Sequence, residues 1–378
     1  MNVHTGKKSA AKNRAKRVTT GQRILAELRN RIVSSEFPPG SRLPTRAELI
    51  QRLGTTPVTL QRVFDMLAHE GFVVARGNEG TFVNQKPPHL NRYGLVFPYG
   101  PSPDRPWPTF WSALAQEAAA VAKANGYVMY YFYGNETHQD IETYQRLQAD
   151  VLAHRLAGLM FVTAPHYLAG SPVLDEPGIP RVAIMPAPVF PGVKAVRLGG
   201  GLMGMALNRL RVLGRRRVAV ITVPHATEHV AAALAAAGFD SPPYWIQVTN
   251  PQTPEGAHNA AHLLLAANPD CRPDALVITD DNLVPHATAG LLAAGSAACR
   301  DLVVIAHANF PHPTPSQLPA IRLGYDVREI VRACLALMDT QRAGQSGPDL
   351  VEIPPQWEDE ILAAAEIYYH LMFEMFSN

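Results

Sequence analysis

The sequence predicts an α/β protein with a small N-terminal module of helices and a two-stranded ribbon, and a body of two lobes, each a doubly wound parallel sheet. Three observations predict it. At 378 residues the chain is too long for one ordinary domain. From residue 93 onward, short apolar runs alternate with Ala- and Leu-rich helical stretches, the pattern of parallel strands covered on both faces. The charge is also divided. Residues 1–86 hold 15 Lys and Arg against 6 Asp and Glu, a net of +9; from totals of 34 and 32 this leaves 19 against 26, a net of −7. A polyanion should therefore meet only the N-terminal end.

Residues 1–18 are basic and almost without large apolar groups, which predicts disorder; their lysines and arginines suit phosphates or mere solubility equally well. A first helix contains Ile24, Leu25, Leu28 and Ile32 and ends at Phe37-Pro38-Pro39-Gly40. Thr45 and Glu48 then form a capping box for a second helix that Gly54 closes. Thr55 or Thr56 caps a third, with Pro57 in its first turn, where the missing N–H costs nothing. Leu60, Val63, Phe64 and Leu67 share one face of it, so Val58, Gln61 and Arg62 point away as a candidate reading head for a DNA groove. A Gly-tipped ribbon follows, Arg76-Gly77 to Gly80-Thr81-Phe82-Val83.

Leu43-Pro44, Glu70-Gly71-Phe72 and the ribbon motif, in this order and spacing, resemble the winged helix-turn-helix of GntR-type transcriptional regulators over residues 19–86. The resemblance implies that the third helix enters the major groove and that the wing touches the adjacent backbone or minor groove. The reading face departs from the family pattern. Ala47 stands where many members carry arginine, with Arg46 one place earlier, and Pro57-Val58 replaces a basic or hydroxyl residue and threonine. Direct readout is then expected to be sparse: Gln61 to an adenine edge, Val58 to a thymine methyl. Thr45, Arg46, Thr56, Thr59, Arg62, Arg76 and Gly77 fall to the backbone.

Residues 87–92 read as a short proline-bearing linker. In the body, residues 93–357, strands are expected at 93–98, 127–133, 158–162, 182–185, 195–198, 217–223, 244–248, 275–279, 302–306 and 350–353, with helices at 110–125 and 139–154 among others. Gly94-Leu95-Val96-Phe97-Pro98, Leu213-Gly214-Arg215, Ala237-Gly238-Phe239 and Asp280-Asp281 resemble the effector domain of LacI/GalR-type repressors, which is periplasmic-binding-protein-like. That resemblance implies two lobes joined by a hinge, a small molecule in the cleft, and a homodimer.

Ligands of parallel sheets bind beyond the strands' carboxyl ends. Phe110 and Trp111 stand where the family places its aromatic platform, and Tyr99 follows the first strand. The family's polar ligands are missing: Ala235 replaces an arginine, Ala308 an aspartate and Gly199 an acidic residue, which puts a simple sugar bound in the usual way in doubt. His166, Arg197, His225, Thr227, Asp280, Asp281, His307 and Asn309, at strand ends or in the loops after them, are the candidate replacements; Arg197 and the histidines would suit an acidic or more apolar ligand.

No metal-ligand spacing, cofactor motif or nucleophile motif opens a helix after a strand, so neither a metal, a cofactor nor an enzyme is expected. Cys271, Cys299 and Cys334 are widely spaced and read as small buried hydrophobes. No run of about 18 apolar residues and no apolar signal core occur, which points to a cytoplasmic protein. Residues 358–378 read as an apolar C-terminal helix docked on its own chain or across a dimer. The expectation is a DNA-binding regulator, a repressor, controlled by a small molecule that is a sugar or sugar derivative or an acidic compound. The alternatives are a regulator whose body serves only dimerisation or protein contacts, and, more weakly, an α/β enzyme.

Overall fold

The computed structural model describes residues 19–134, 141–266, 272–295 and 299–363. The basic tail, Cys271 and most of the C-terminal helix lie outside them. The chain divides into two compact units, one running to Asn91 and taking in Ala153–Arg155, the other formed by Arg92–Leu152 and the chain from Leu156 onward.

In the first unit, α1 (Thr20–Val33) starts at a capping box between Thr19 and Gln22, and α2 (Arg46–Leu53) at the expected one between Thr45 and Glu48. The backbone N–H of Thr45, with its hydroxyl second, holds the Glu48 carboxyl below its usual range. Gly54 closes α2 at φ +58°, a conformation that favours glycine. Thr56, not Thr55, caps α3 (Pro57–Glu70). One apolar face from each helix meets Phe72, Val73 and Val83 in a single core. Strands β1 (Val73–Ala75) and β2 (Thr81–Val83) pair antiparallel as the wing, and Arg42 bridges to Phe82 at its edge. The expected linker is partly helical: α4 (Pro88–Asn91) buries Pro88 and His89, and the His89 ring stacks on Phe72 at 6.0 Å.

The second unit contains two six-stranded sheets. The first has the order β13-β7-β6-β5-β3-β4, with β3 (Arg92–Phe97), β4 (Val128–Tyr133), β5 (Gly158–Phe161), β6 (Arg181–Ile184), β7 (Val193–Leu198) and β13 (Leu350–Ile353), all parallel. Alternation within β3 sends Tyr93, Leu95 and Phe97 to one core and Val96 to the other. The first core is closed by α5 (Thr109–Asn125) and α12 (Val327–Arg342), the second by α6 (Ile141–Leu152) and α7 (Pro172–Asp175). Buried Arg181 ties the loop after α7 down, donating to the carbonyls of Val173, Ile179 and Glu176 at 2.6–2.9 Å.

The second sheet has the order β14-β12-β11-β10-β8-β9, with β8 (Val218–Thr222), β9 (Ile246–Val248), β10 (Ala275–Ile278), β11 (Val303–Phe310), β12 (Ile321–Asp326) and β14 (Gln356–Trp357). Only β14 runs antiparallel. Helices α10 (Glu255–Ala266) and α11 (Val284–Ala293) cover one face, α8 (Leu202–Val212) and α9 (Thr227–Ala237) the other. The expected strands are present; β12 and β14 were not foreseen. A helix starts at residue 358, and its Ile361 covers Ala308 and Phe310 on β11.

The chain crosses between the lobes three times: at Gly199–Gly201, at the β12–α12 junction and at Pro354-Pro355. The crossings are bonded to one another. The Gly199 N–H donates to the Ile353 carbonyl at 2.7 Å, and the Tyr325 hydroxyl to the Gly199 carbonyl at 2.7 Å. Burial raises the Tyr325 phenol to about 12, so it stays a donor at neutral pH.

Candidate nucleic-acid interface and interlobe cleft

On the N-terminal unit, Thr45, Arg46, Thr56, Val58, Arg62, Arg76 and Gly77 are exposed, and Thr59 and Gln61 are half-buried. Val58 is an unusual choice for a helix surface and is 63% exposed. Thr45 and Thr56 are N-caps whose hydroxyls accept from Glu48 and Thr59 N–H groups, so each places the positive end of a helix at the surface. Arg46 lies over Phe64 at 5.8 Å and Arg76 over Phe82 at 4.5 Å, which holds both guanidinium groups near the face without neutralising them. Gln61 already donates to Asp65 at 2.7 Å and must release that bond to read a base. At the wing tip Gly77 has φ +49° and Gly80 φ +109°, and a side chain at Gly80 would press on Arg42.

In the second unit a cavity of about 270 Å³ lies between the lobes. Tyr99, Phe110 and Trp111 from the first lobe and Asp280, Asp281, His307 and Asn309 from the second line it, as the sequence suggested. Leu198, Pro106, Pro108, Pro251, Gln252 and Asn282 also line it and were missed. Pro106 and Pro108 fix the approach to α5 without leaving a backbone N–H to be satisfied. Trp107, also missed, is the hub of the aromatic wall: its ring lies 4.9 Å from Phe97, 5.4 Å from Trp111 and 6.3 Å from Tyr99. The Arg105 guanidinium lies 3.3 Å from the centre of the Tyr99 ring.

The polar floor is built by the turn after β10 and by β11. Asp280 Oδ1 accepts from the backbone N–H and side-chain amide of Asn282 at 2.9 and 2.8 Å, an Asx turn. Asn282 Oδ1 in turn accepts from the N–H and hydroxyl of Thr109 at 3.0 and 3.2 Å, joining the lobes. Asp281 is 3% exposed and accepts from the Asn309 amide at 2.6 Å; its other oxygen is 4.0 Å from His307 Nδ1. His312 and Glu117 make a second link between the lobes, at 2.7 Å.

Four sequence candidates are placed elsewhere. Arg197 is turned to Glu352, its register partner on β13, with Nε to Oε2 at 3.0 Å. His166 sits in a 3-10 turn with its ring against Phe190 at 4.9 Å. His225 is exposed in the turn before α9, and the Thr227 hydroxyl donates to the Pro224 carbonyl at 3.0 Å. With Arg197 gone, the lining contains no Lys or Arg, so the expectation of an acidic ligand loses its support.

The first unit is a helix-turn-helix with a wing, and the second is a two-lobed body of parallel sheets. Residues 20–83 match the family described as bacterial regulatory proteins, gntR family. Over 66 residues the chain is 36% identical to the HTH-type transcriptional regulator Rv0792c of Mycobacterium tuberculosis (strain ATCC 25618 / H37Rv), covering 18% of this chain and 24% of that one. Over 53 residues it is 42% identical to the fatty acid metabolism regulator protein of Edwardsiella ictaluri (strain 93-146), covering 14% and 22%. The chain thus spans about a quarter of these relatives. Among solved structures, a LacI-family regulatory protein from Chloroflexus aggregans matches 70% of this chain and 96% of its own, with a TM-score of 0.54 and 18% identity. A complex of the transcriptional regulator CelR with cellobiose matches 80% and 90%, with a TM-score of 0.51 and 18% identity. At such identities the likeness is one of fold.

Proposed function

We propose that the protein is a DNA-binding transcriptional regulator, acting as a homodimeric repressor, whose operator affinity is set by a small molecule bound between the lobes. The reading rests chiefly on the exposed face of α3 beside a glycine-tipped wing within a matched GntR segment, on a chain whose net charge is +9 up to residue 86 and −7 beyond it. Arg46, Arg62 and Arg76 hold phosphates, with Thr45, Thr56, Thr59 and Gly77 beside the backbone, while Val58 and Gln61 supply the little base contact available. The body is no catalyst in this reading: the cleft's Asp280, Asp281, His307 and Asn309 hold a ligand. The ligand acts only through its difference in affinity for the two lobe arrangements. Operator selection from genomic fragments tests the reading. A specific site should emerge, its affinity should fall steeply with salt, and Arg62→Ala should weaken it while lowering the salt slope by about one; selection without a site refutes it.

A second reading, in which the body only dimerises, is favoured by one observation: Thr109–Asn282 and His312–Glu117 join the lobes directly. Operator release on adding a cleft ligand separates the two.

A further inference from the structure

Resting on the reading of the cleft as a ligand site, we infer that its ligand bears a protonated amine, seated between the aromatic wall and the acceptor-rich floor.

Hydrogen-bond valence is the first ground. Asn309 is 1% exposed, and its side-chain Oδ1 has no partner among the described residues. Its orientation is fixed by chemistry: the amide must turn its NH2 to Asp281, because a carboxylate only accepts. The atom left over is therefore an acceptor, and an unmet buried acceptor is costly. Asp280 and Asp281 add acceptor oxygens beside it. The floor's neutral donors are few: the Asn282 amide is engaged by Asp280 and one N–H of the Asn309 amide by Asp281, leaving its second N–H and Gln252, while the Tyr99 hydroxyl and the Trp111 indole N–H belong to the wall. His307, whose Nδ1 has no hydrogen-bond partner among the described residues, can donate or accept at the floor. Such a floor asks its ligand for donors and offers few in return.

Charge is the second. Two carboxylates line the cavity with no lysine or arginine among the lining residues. An acidic ligand is repelled, and a neutral polyol gains charge-assisted hydrogen bonds but no pairing of opposite charges. An ammonium brings donors and charge together.

The third is the aromatic wall. Tyr99, Phe110 and Trp111 line the cavity, and aromatic faces attract cations within about 6 Å. The structure already places one there: Arg105, from the segment before α5, puts its guanidinium 3.3 Å from the Tyr99 ring centre. Arg105 acts as an internal cation on a face of the binding wall, which a ligand amine competes for.

The test uses the full chain and matched probes: glucosamine against glucose and glucuronic acid, tyramine against tyrosol, and putrescine against butane-1,4-diol. Thermal shift is read first and isothermal titration second. At least one amine should raise Tm by about 3 °C or more at ten times its Kd, with its neutral or acidic counterpart silent. Asp281→Asn should weaken that amine about tenfold or more. Arg105→Ala, with the Tm of the ligand-free variant read as a check on folding, should tighten it about threefold. Binding of glucose, glucuronic acid or a diol as tightly as its amine partner overturns the inference and leaves a ligand-binding cleft standing. Silence from all the probes also overturns it; if in addition none of them changes operator retention, the ligand-control reading falls with it.

Discussion

Replacing Gly324 by alanine should destabilise the second lobe's sheet near the cleft. Gly324 lies on β12 opposite Ala308 of β11. A Cβ built there would stand 1.7 Å from the Ala308 carbonyl oxygen, 2.7 Å from its carbon and 2.9 Å from its nitrogen. All three are backbone atoms, so no side chain can swing aside. Restoring ordinary contact needs a shift of more than about 1.5 Å between two paired strands, in an interior packed as densely as a crystal. Overpacking of this kind costs about 3 kcal/mol, or roughly 6–12 °C in Tm for a body of this size. The shift also disturbs the cavity, because alternation on β11 turns His307 and Asn309 to it on either side of Ala308. Urea unfolding followed by near-UV dichroism measures the loss, with Gly200→Ala as control, since nothing lies within 4 Å of a Cβ there. If Gly324→Ala unfolds within about 0.5 kcal/mol of the parent, the close approach is not a constraint and the reasoning fails.

Arg181→Met keeps the length of the side chain but strands three carbonyls and should cost about 3 kcal/mol by denaturant unfolding; a loss below 1 kcal/mol would mean that water replaces the guanidinium. Cys334 is fully buried and burial pushes its thiol well up, so alkylation at pH 8 should spare it until the protein is unfolded. Mass mapping of the modified peptide checks this, and fast native labelling there would refute it. Asn282→Ala removes both hydrogen bonds to Thr109 and should shift the lobes toward opening by about 1–2 kcal/mol, a five- to thirtyfold change in the open-to-closed ratio. Fluorescence transfer between labels on the two lobes reads it, and an unchanged signal argues that the rim bonds do not hold closure.

The architecture was largely legible because most elements carry the period of their own class. β10 is apolar throughout, β8 up to Thr222, and β3 is apolar or glycine after Arg92, and helices end at glycines that adopt positive φ, as Gly54, Gly71, Gly126 and Gly238 do. Strand β12 escaped notice for a physical reason. Its sequence, Ile321-Arg322-Leu323-Gly324-Tyr325-Asp326, mixes charge and glycine because each exception has a local use. The Arg322 guanidinium donates to the Thr314 carbonyl, Gly324 admits the Ala308 backbone, and Asp326 caps α12. Pairing with β11 overrides the weak local preference. Strand β14 is two residues long and has no period to read.

The cleft was half legible, and the half that was missed follows a rule. Side chains at the end of a strand, or alternating along it, inherit a direction from the sheet, so Asp280, Asp281, His307 and Asn309 could be named from the strands before them. Arg197 also lies in a strand, but its direction was settled by a cross-strand partner 155 residues away, Glu352, which no local pattern announces. His166, His225 and Thr227 stand several residues past their strands, where the path of the loop decides, and both loops turn through 3-10 helices. The converse holds for Trp107, Pro251 and Gln252, which enter from loops. The consequence for chemistry is specific. With Arg197 turned to Glu352, the described lining of the cavity holds two carboxylates and no Lys or Arg, so the charge of the proposed site turns on a single long-range ion pair.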